Sequence, residues 1–233
     1  MRTRLEQGLT ALNLSPTPAA ALEQYCHLLL AQNQVMNLTA ITESNQVVDL
    51  HMLDSAALLT VADFHGKKVI DVGTGAGFPG LVLKLLEPTI ELTLLDSLAK
   101  RVNWLTEIST QLGAASVQCI HGRAEEQALL DGYRDSYDIA VSRAVADLRI
   151  LSELCLPFVK VGGFFLAMKS ENCQEEVNQA GRAIAKLGGQ LRPMAQYQIP
   201  NTEISRRVVV VEKIQPTPKA YPRRFSRMKK APL

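Results

Sequence analysis

The chain has few residues of the kinds that build disulfide scaffolds, metal centres or membrane spans. Its four cysteines, Cys26, Cys119, Cys155 and Cys173, are widely spaced and form no C-x-x-C pair. Disulfide and zinc readings therefore lack support, and small buried thiols in a reducing compartment are expected. The four histidines, His27, His51, His65 and His121, do not cluster, so none is assigned as a base and no metal is expected. No apolar run approaches the roughly 18 residues that a spanning helix needs. The first residues, Met1-Arg-Thr-Arg-Leu-Glu-Gln-Gly8, lead into no signal-type apolar stretch. A cytoplasmic location without a membrane partner is the expectation. At 233 residues and 47% hydrophobic, the chain can bury one full domain with a modest extension. A monomer is expected.

Acid is missing from one region in particular. Residues 219–233 carry six bases and no acid, whereas residues 67–218 balance at seventeen of each sign and residues 1–66 hold two Arg against six acids. The whole positive balance of the chain, a net charge of +2, thus lies in its last fifteen residues. Either that end is simply solvated, or it contacts phosphates, because clustered Lys and Arg displace counterions from nucleic acid. Tyr221, Phe225 and prolines interleave with Arg223, Arg224, Arg227, Lys229 and Lys230. That mixture favours ordered contact.

The apolar periodicity divides the chain into three parts. Residues 1–66 read as a helical extension: Leu5, Leu9 and Leu12 make one stripe, Pro16 and Pro18 break it, and Leu22, Tyr25, Cys26, Leu29 and Leu30 make a second. Residues 67–215 alternate strand and helix, with strands near 67–72, 91–95, 116–120, 137–142, 163–169, 190–198 and 206–213. Helices are expected near 79–87, 97–112, 124–131, 146–158 and 172–188. Such alternation specifies an α/β, Rossmann-like parallel sheet of seven strands. No helix separates the last two strands, so the final one is expected to enter antiparallel. Residues 216–233 form the basic tail.

The richest local signal is Asp71-Val-Gly-Thr-Gly-Ala-Gly-Phe-Pro-Gly80, followed sixteen residues later by Asp96. It follows Val69-Ile70 and precedes an apolar helix start, the strand–turn–helix context in which glycine-rich loops bind nucleotide-like ligands. Glycine suits the turn because its backbone angles are unusual and because a Cβ would hold a ligand off the main chain. Asp96, at the end of the second strand, can accept hydrogen bonds from both ribose hydroxyls. The segment Gly75-Ala-Gly77-Phe-Pro-Gly80 is a literal G-x-G-x-x-G, so an NAD(P)-dependent oxidoreductase is an alternative. Asp71 argues against it: a carboxylate repels a pyrophosphate at a helix N-terminus, whereas it suits the sulfonium and ammonium of S-adenosylmethionine.

In open α/β sheets, ligands bind beyond the carboxyl ends of the strands. The candidates there are Gly73, Gly75, Gly77 and Phe78 after strand one, Asp96 after strand two, Ala124 and Glu125 after strand three, Arg143 after strand four and Lys169 after strand five. The place after strand four reads Ser142-Arg143-Ala144-Val145, not the Asn/Asp-Pro-Pro-aromatic run of amino-group methyltransferases, and no Pro-Cys nucleophile occurs anywhere. Chemistry needing neither suits a target that is already nucleophilic, such as guanine N7. Its lone pair requires only in-line placement. Arg143, next to the expected pocket floor, is the candidate for linking cofactor to substrate.

Six motifs occur in order: Asn37-Leu-Thr-Ala-Ile-Thr42, His51-Met-Leu-Asp54-Ser55, Asp71–Gly80, Leu94-Leu-Asp-Ser-Leu-Ala-Lys-Arg101, Arg123-Ala-Glu125 and Ser142-Arg-Ala144. Together they resemble the bacterial ribosomal RNA small-subunit methyltransferase G family, also called glucose-inhibited division protein B. The resemblance implies a class I methyltransferase sheet, S-adenosylmethionine as cofactor, and methyl transfer to N7 of a guanine in 16S rRNA near the decoding centre. It also implies cofactor contacts at Gly73, Phe78, Asp96, Ala124, Glu125 and Arg143. The RNA-contacting bases expected on this reading are Lys100, Arg101, Lys169, Arg223, Arg224, Arg227, Lys229 and Lys230. In the tail, Tyr221-Pro-Arg223 and Pro232-Leu233 follow the family, while Ser226 and Met228 stand where it often has glycine and proline.

Overall fold

A computed structural model describes residues 1–143 and 146–233; Ala144 and Val145, part of the motif after strand four, lie outside the described residues. Helix α1 (Arg2–Ala11) buries Leu5 and Leu9. Helix α2 (Ala19–Met36) buries Leu22, Tyr25, Cys26 and Leu29, and stops at Asn37, whose φ of 50° is left-handed. A broken helical run follows. It comprises α3 (Ser44–Val47), a π-helical turn over Val48–Leu53, α4 (Asp54–Ala56) and a 3-10 turn over Ala57–Thr60. Glu43 starts the run by accepting hydrogen bonds from the amides of Asn45 and Gln46.

The alternating part then unrolls as β1 (Lys68–Val72), α5 (Gly80–Leu86), β2 (Glu91–Asp96), α6 (Ala99–Gln111), β3 (Val117–His121), α7 (Ala124–Gln127), β4 (Tyr137–Arg143), α8 (Leu148–Cys155), β5 (Val159–Ser170), α9 (Gln174–Lys186), β6 (Gly189–Leu191), β7 (Ala195–Gln198) and β8 (Ser205–Lys213). A last short helix, α10 (Phe225–Lys230), closes the chain. The sheet runs β3-β2-β1-β4-β5-β8-β6, with β7 also on β8. Strands β1 to β5 are parallel, and β8 enters antiparallel beside β5, as expected.

One element differs from the expectation. The single strand near 190–198 is two short strands, both antiparallel to β8, so eight strands fill seven positions. Arg192-Pro193-Met194 interrupts them, and Pro193 has no N–H to give the ladder.

Strand residues alternate between two apolar layers. Val69, Leu92, Leu94, Val141 and Leu166 face a layer built with α5, α6 and the N-terminal helices. Ile70, Leu95, Ala140, Phe165 and Val209 face a layer built with α8, α9 and Met228 of the tail. The N-terminal helices therefore share one core with the sheet. Their far ends reach its C-terminal edge, where the site lies.

Candidate functional site

The turn between β1 and α5 is built around Asp71. Its carboxylate is wholly buried, and Oδ2 accepts from Thr74 Oγ1 at 2.7 Å and from the Gly80 amide at 2.8 Å. A Cβ on Gly80 would stand 2.9 Å from that same oxygen, so glycine is required for the closure. Burial pushes the Asp71 carboxyl up to about 6, against the Thr74 and Gly80 hydrogen bonds that hold it down. Oδ1 has no partner. The expectation that Asp71 faces the cations of a ligand is corrected in part. The residue does not line the cavity, and one of its oxygens closes the turn.

The glycines divide by role. Gly73 and Gly75 line the cavity, and Gly75 has a φ of +62° with open space around the position a Cβ would take. Its amide donates to Asp96 Oδ2 at 2.9 Å, and Asp96 Oδ1 accepts from the Leu98 amide at 2.9 Å. Gly77 is absent from the lining, and a Cβ there would strike the Tyr25 hydroxyl and Leu105. It is a packing glycine, pressed by α2.

The cavity measures about 780 Å³, inside the roughly 300–1,000 Å³ of small-molecule sites. Gly73, Gly75 and Phe78 bound it on one side, Arg101 on another, and Arg143, Met168, Lys169 and Arg206 at the ends of β4, β5 and β8. The remaining wall comes from the N-terminal extension: Leu38, Thr39 and Ile41 in the loop after α2, and Leu50, His51 and Asp54 in the broken helical run. Sequence reasoning assigned no role to this wall. The signal was present in the pair His51 and Asp54, three apart and hence on one helical face.

Phe78 lies in a layered stack. Tyr25 stacks on it at 5.3 Å between centroids, His51 at 4.6 Å, and the Arg143 guanidinium sits 5.1 Å from its centroid. Arg143 donates to Leu50 O, Asp54 Oδ2 and His51 Nδ1, each at 3.1 Å. The proton of His51 is thereby assigned to Nε2, which faces Thr39 Oγ1 at 2.8 Å. Burial and the Arg143 charge press His51 down to about 3, so the ring is neutral. Asn33 clamps Thr39 by accepting from its amide at 2.8 Å and donating to its carbonyl at 2.9 Å.

Asp54 joins the two halves of the site. Besides Arg143 it accepts from Tyr197 Oη at 2.7 Å and lies 3.6 Å from Arg206 Nε. Burial and Asp54 together raise Tyr197, which keeps its proton. A neutral imidazole, a buried carboxylate and two guanidinium groups thus hold one another in place. The arrangement can fix anions and polar edges but carries no free general base.

The other expected residues fall as follows. Asp96 is buried behind Gly75, 3.6 Å from Arg101 Nη1. Ala124 and Glu125 open α7, outside the lining, and Glu125 accepts from Arg123 Nε at 2.8 Å. Lys100 is exposed beside the site, and Lys169 lines it while bonded to Glu176 and Ala146 O. Arg224, just before α10, and Arg227, Lys229 and Lys230 on it are exposed. Arg223 is not free for RNA: it makes a bidentate pair with Glu153, a residue with no exposure.

The residues fit S-adenosylmethionine in shape and chemistry. Glycine backbone without side chains borders a cavity of the right size, with open space where a Cβ of Gly75 would stand, and Asp96 lies under the turn. Among the described residues no group of three or more His, Cys, Asp or Glu could hold a metal ion, and no helix is long and apolar enough to cross a membrane.

Known proteins extend this picture. A family model described as rRNA small subunit methyltransferase G matches residues 19–205. "Ribosomal RNA small subunit methyltransferase G" of Clostridium perfringens (strain 13 / Type A) is 45% identical over 210 residues, 90% of this chain and 88% of that protein. The protein of the same name from Symbiobacterium thermophilum is 45% identical over 240 residues, covering 100% of this chain and 98% of its own. Among solved structures, TrmN of Thermus thermophilus has a TM-score of 0.53 at 22% identity, over 69% of this chain and 48% of that one. TYW2 of M. jannaschii, solved with AdoMet, has a TM-score of 0.55 at 14% identity, over 69% and 75%. These two likenesses support the fold alone.

Proposed function

This chain belongs to the rRNA small subunit methyltransferase G family, and on that premise we propose that it methylates N7 of a guanine in 16S rRNA, near the decoding centre of the small ribosomal subunit, from S-adenosylmethionine. The observation that carries the reading is the composition of the cavity. It joins a glycine turn suited to the cofactor with a fixed guanidinium–carboxylate network, and among the described residues no cysteine lines it. A covalent route through a cysteine therefore has no nucleophile there, and direct in-line transfer is the route that remains.

S-adenosylmethionine, when bound, supplies an electrophilic methyl group on a sulfonium. Gly73, Gly75, Phe78 and Asp96 are the residues proposed to hold it, with Ala124 and Glu125 at its adenine end. Guanine N7 attacks with its own lone pair, so no proton has to be removed. A cavity whose one histidine is neutral and committed to Thr39 and Arg143 suits that chemistry. Arg143 has the further role of orienting substrate against cofactor. Its charge is balanced by Asp54, which limits the repulsion a bare guanidinium would exert on a guanine gaining positive charge. Holding the two reactants at attack geometry is the main source of rate in such a site.

Lys100, Arg101, Lys169 and the exposed tail bases are proposed to meet RNA phosphates around the mouth. The test is incubation with labelled S-adenosylmethionine and unmodified 16S RNA, followed by nucleoside analysis. Label in N7-methylguanosine is expected; label in another nucleoside overturns the assignment of the target atom.

A further inference from the structure

The family model matches only to residue 205, short of the basic tail, which the alignment to the Symbiobacterium thermophilum relative does include. The structure gives this tail a fixed place. Arg134 donates to Thr217 O at 2.7 Å and Tyr221 O at 3.0 Å, and Lys186 lies 5.5 Å from the Tyr221 centroid. Arg223 donates its amide and Nε to Glu153 Oε1, each at 2.8 Å, and Nη2 to Oε2 at 2.6 Å. Its Nη1 reaches back to Ala231 O at 3.1 Å, across the helix it precedes. Met228 is completely buried in the layer under α8 and α9. Phe225 lies under the Arg123 guanidinium at 5.6 Å, just before Ala124 and Glu125.

The outward side of this docked segment holds Arg224, Arg227, Lys229 and Lys230, all exposed, and residues 216–233 contain no acid. Among the described residues none of the four makes an ion pair. A six-residue helix has no stability of its own. Like charges three apart, Arg224 with Arg227 and Arg227 with Lys230, weaken it further. Glu153 and the Met228 pocket hold in place this cluster of positive charge, whose mutual repulsion works against the favourable placement of Arg227, Lys229 and Lys230 in the helix's last turn. Such an arrangement is accounted for by a polyanion that neutralises the cluster.

We propose that α10 is a preset phosphate-binding surface for RNA, clasped to the body by Arg223–Glu153. Arg223 is a positioning residue; Arg224, Arg227, Lys229 and Lys230 make the contacts. The choice of RNA over another polyanion rests on the 16S rRNA reading. The geometry itself does not.

The test compares wild type with the triple variant R227A/K229A/K230A and with Glu153→Gln, binding protein-free 16S RNA across a salt series. Each lost phosphate contact flattens the slope of log affinity against log salt by about 0.7–0.9. The triple variant should therefore lose about 2–2.7 from the slope. Its affinity deficit should shrink by about 20–40-fold between 50 and 200 mM salt. Affinity for S-adenosylhomocysteine should stay at the wild-type value. An unchanged slope overturns the proposal. Glu153→Gln keeps every surface charge but loosens the clasp, so it should bind RNA more weakly; wild-type binding would mean that the tail works as a loose arm. If that variant fails to fold, Phe225→Ala loosens the same helix without leaving a buried charge unpaired, and the same two outcomes apply. Anionic phospholipid vesicles that bind wild type but not the triple variant, with the RNA salt slope the same in both proteins, would assign the surface to lipid and overturn the RNA assignment. A flattened slope without methylated guanine would sink the catalytic reading alone; methylation with an unaltered slope would sink this one alone.

Discussion

Replacing Asp54 is the sharpest perturbation of the site, because one buried carboxylate organises both arginines and a tyrosine. Its side chain is 3% exposed, and that of Arg143 is 16% exposed. In Asp54→Asn the amide oxygen still accepts from one donor, but the charge-assisted part of the Arg143 bond disappears and Arg206 loses its counter-charge. That costs about 1–2 kcal/mol, since hydrogen bonds to charged groups are worth roughly 1.5–3 against about 1 for neutral ones. In Asp54→Ala the Tyr197 hydroxyl keeps only its longer 3.3 Å bond to the carbonyl oxygen of residue 54 and the Arg143 charge stands unpaired, about 3–5 kcal/mol by comparison with other broken buried pairs. For a chain of this size each kcal/mol lowers Tm by roughly 2–4 °C. Thermal unfolding should therefore show a drop of about 5 °C for Asn and about 10 °C or more for Ala. Methyl transfer should fall in both, and more steeply than stability accounts for at 25 °C, because Arg143 loses its fixed direction. Tyr197→Phe, which removes one donor and no charge, should cost about 1 kcal/mol and leave turnover near wild type. An Asp54→Asn protein with wild-type Tm and turnover would refute the assignment of Asp54 as the organiser.

Other expectations follow from the cofactor side. Asp96→Ala should weaken S-adenosylhomocysteine binding by about 1.5–3 kcal/mol for each ribose hydrogen bond removed, and equilibrium binding that stays unchanged would remove the ribose role. Gly75→Val places a branched side chain at a φ of +62° on the cavity wall, so titration calorimetry should find cofactor binding lost while a folded melt persists. Asp71 is raised in the folded state from 3.8 to about 6, so the fold binds this proton more tightly than the unfolded chain does. Its contribution to stability is full below about pH 4 and is lost as pH rises through 6, on the order of 3 kcal/mol. Denaturant unfolding at pH 4 to 7 should show that decline in the difference between wild type and Asp71→Asn, because His51, pressed down to about 3, adds the same opposite slope to both; parallel profiles would contradict it.

Much of this was legible in the sequence, for reasons that are local. Asp71–Gly80 and Asp96 announce a strand, a turn and a second strand because the chemistry lies in consecutive residues, and β8 enters antiparallel because no helix precedes it. The family match also sets aside the oxidoreductase reading that the literal G-x-G-x-x-G allowed. What stayed hidden depends on contacts across long stretches of chain. His51 meets Arg143 from 92 residues away, and Tyr197 meets Asp54 from 143. The π-helical turn over Val48–Leu53 that carries His51 has no period that an apolar pattern reveals. Asp71 misled in a different way: its sequence position fits a ligand-facing acid, but the closure of Thr74 and Gly80 upon it puts the carboxylate beneath the turn. In the tail, Met228 departs from the proline often found there, and burial of its side chain holds the charged helix down.

The central claim, methylation of a single guanine at N7, has a direct chemical readout. N7-methylguanosine in RNA is cleaved at its own position by borohydride reduction followed by aniline, and the cut can be mapped by primer extension. Unmodified 16S RNA treated with the wild-type protein and S-adenosylmethionine should show one new cut, near the decoding centre, that is absent after treatment with Arg143→Ala. Methyl label incorporated into the RNA without any such cut, or cuts spread over many guanines, would contradict the account.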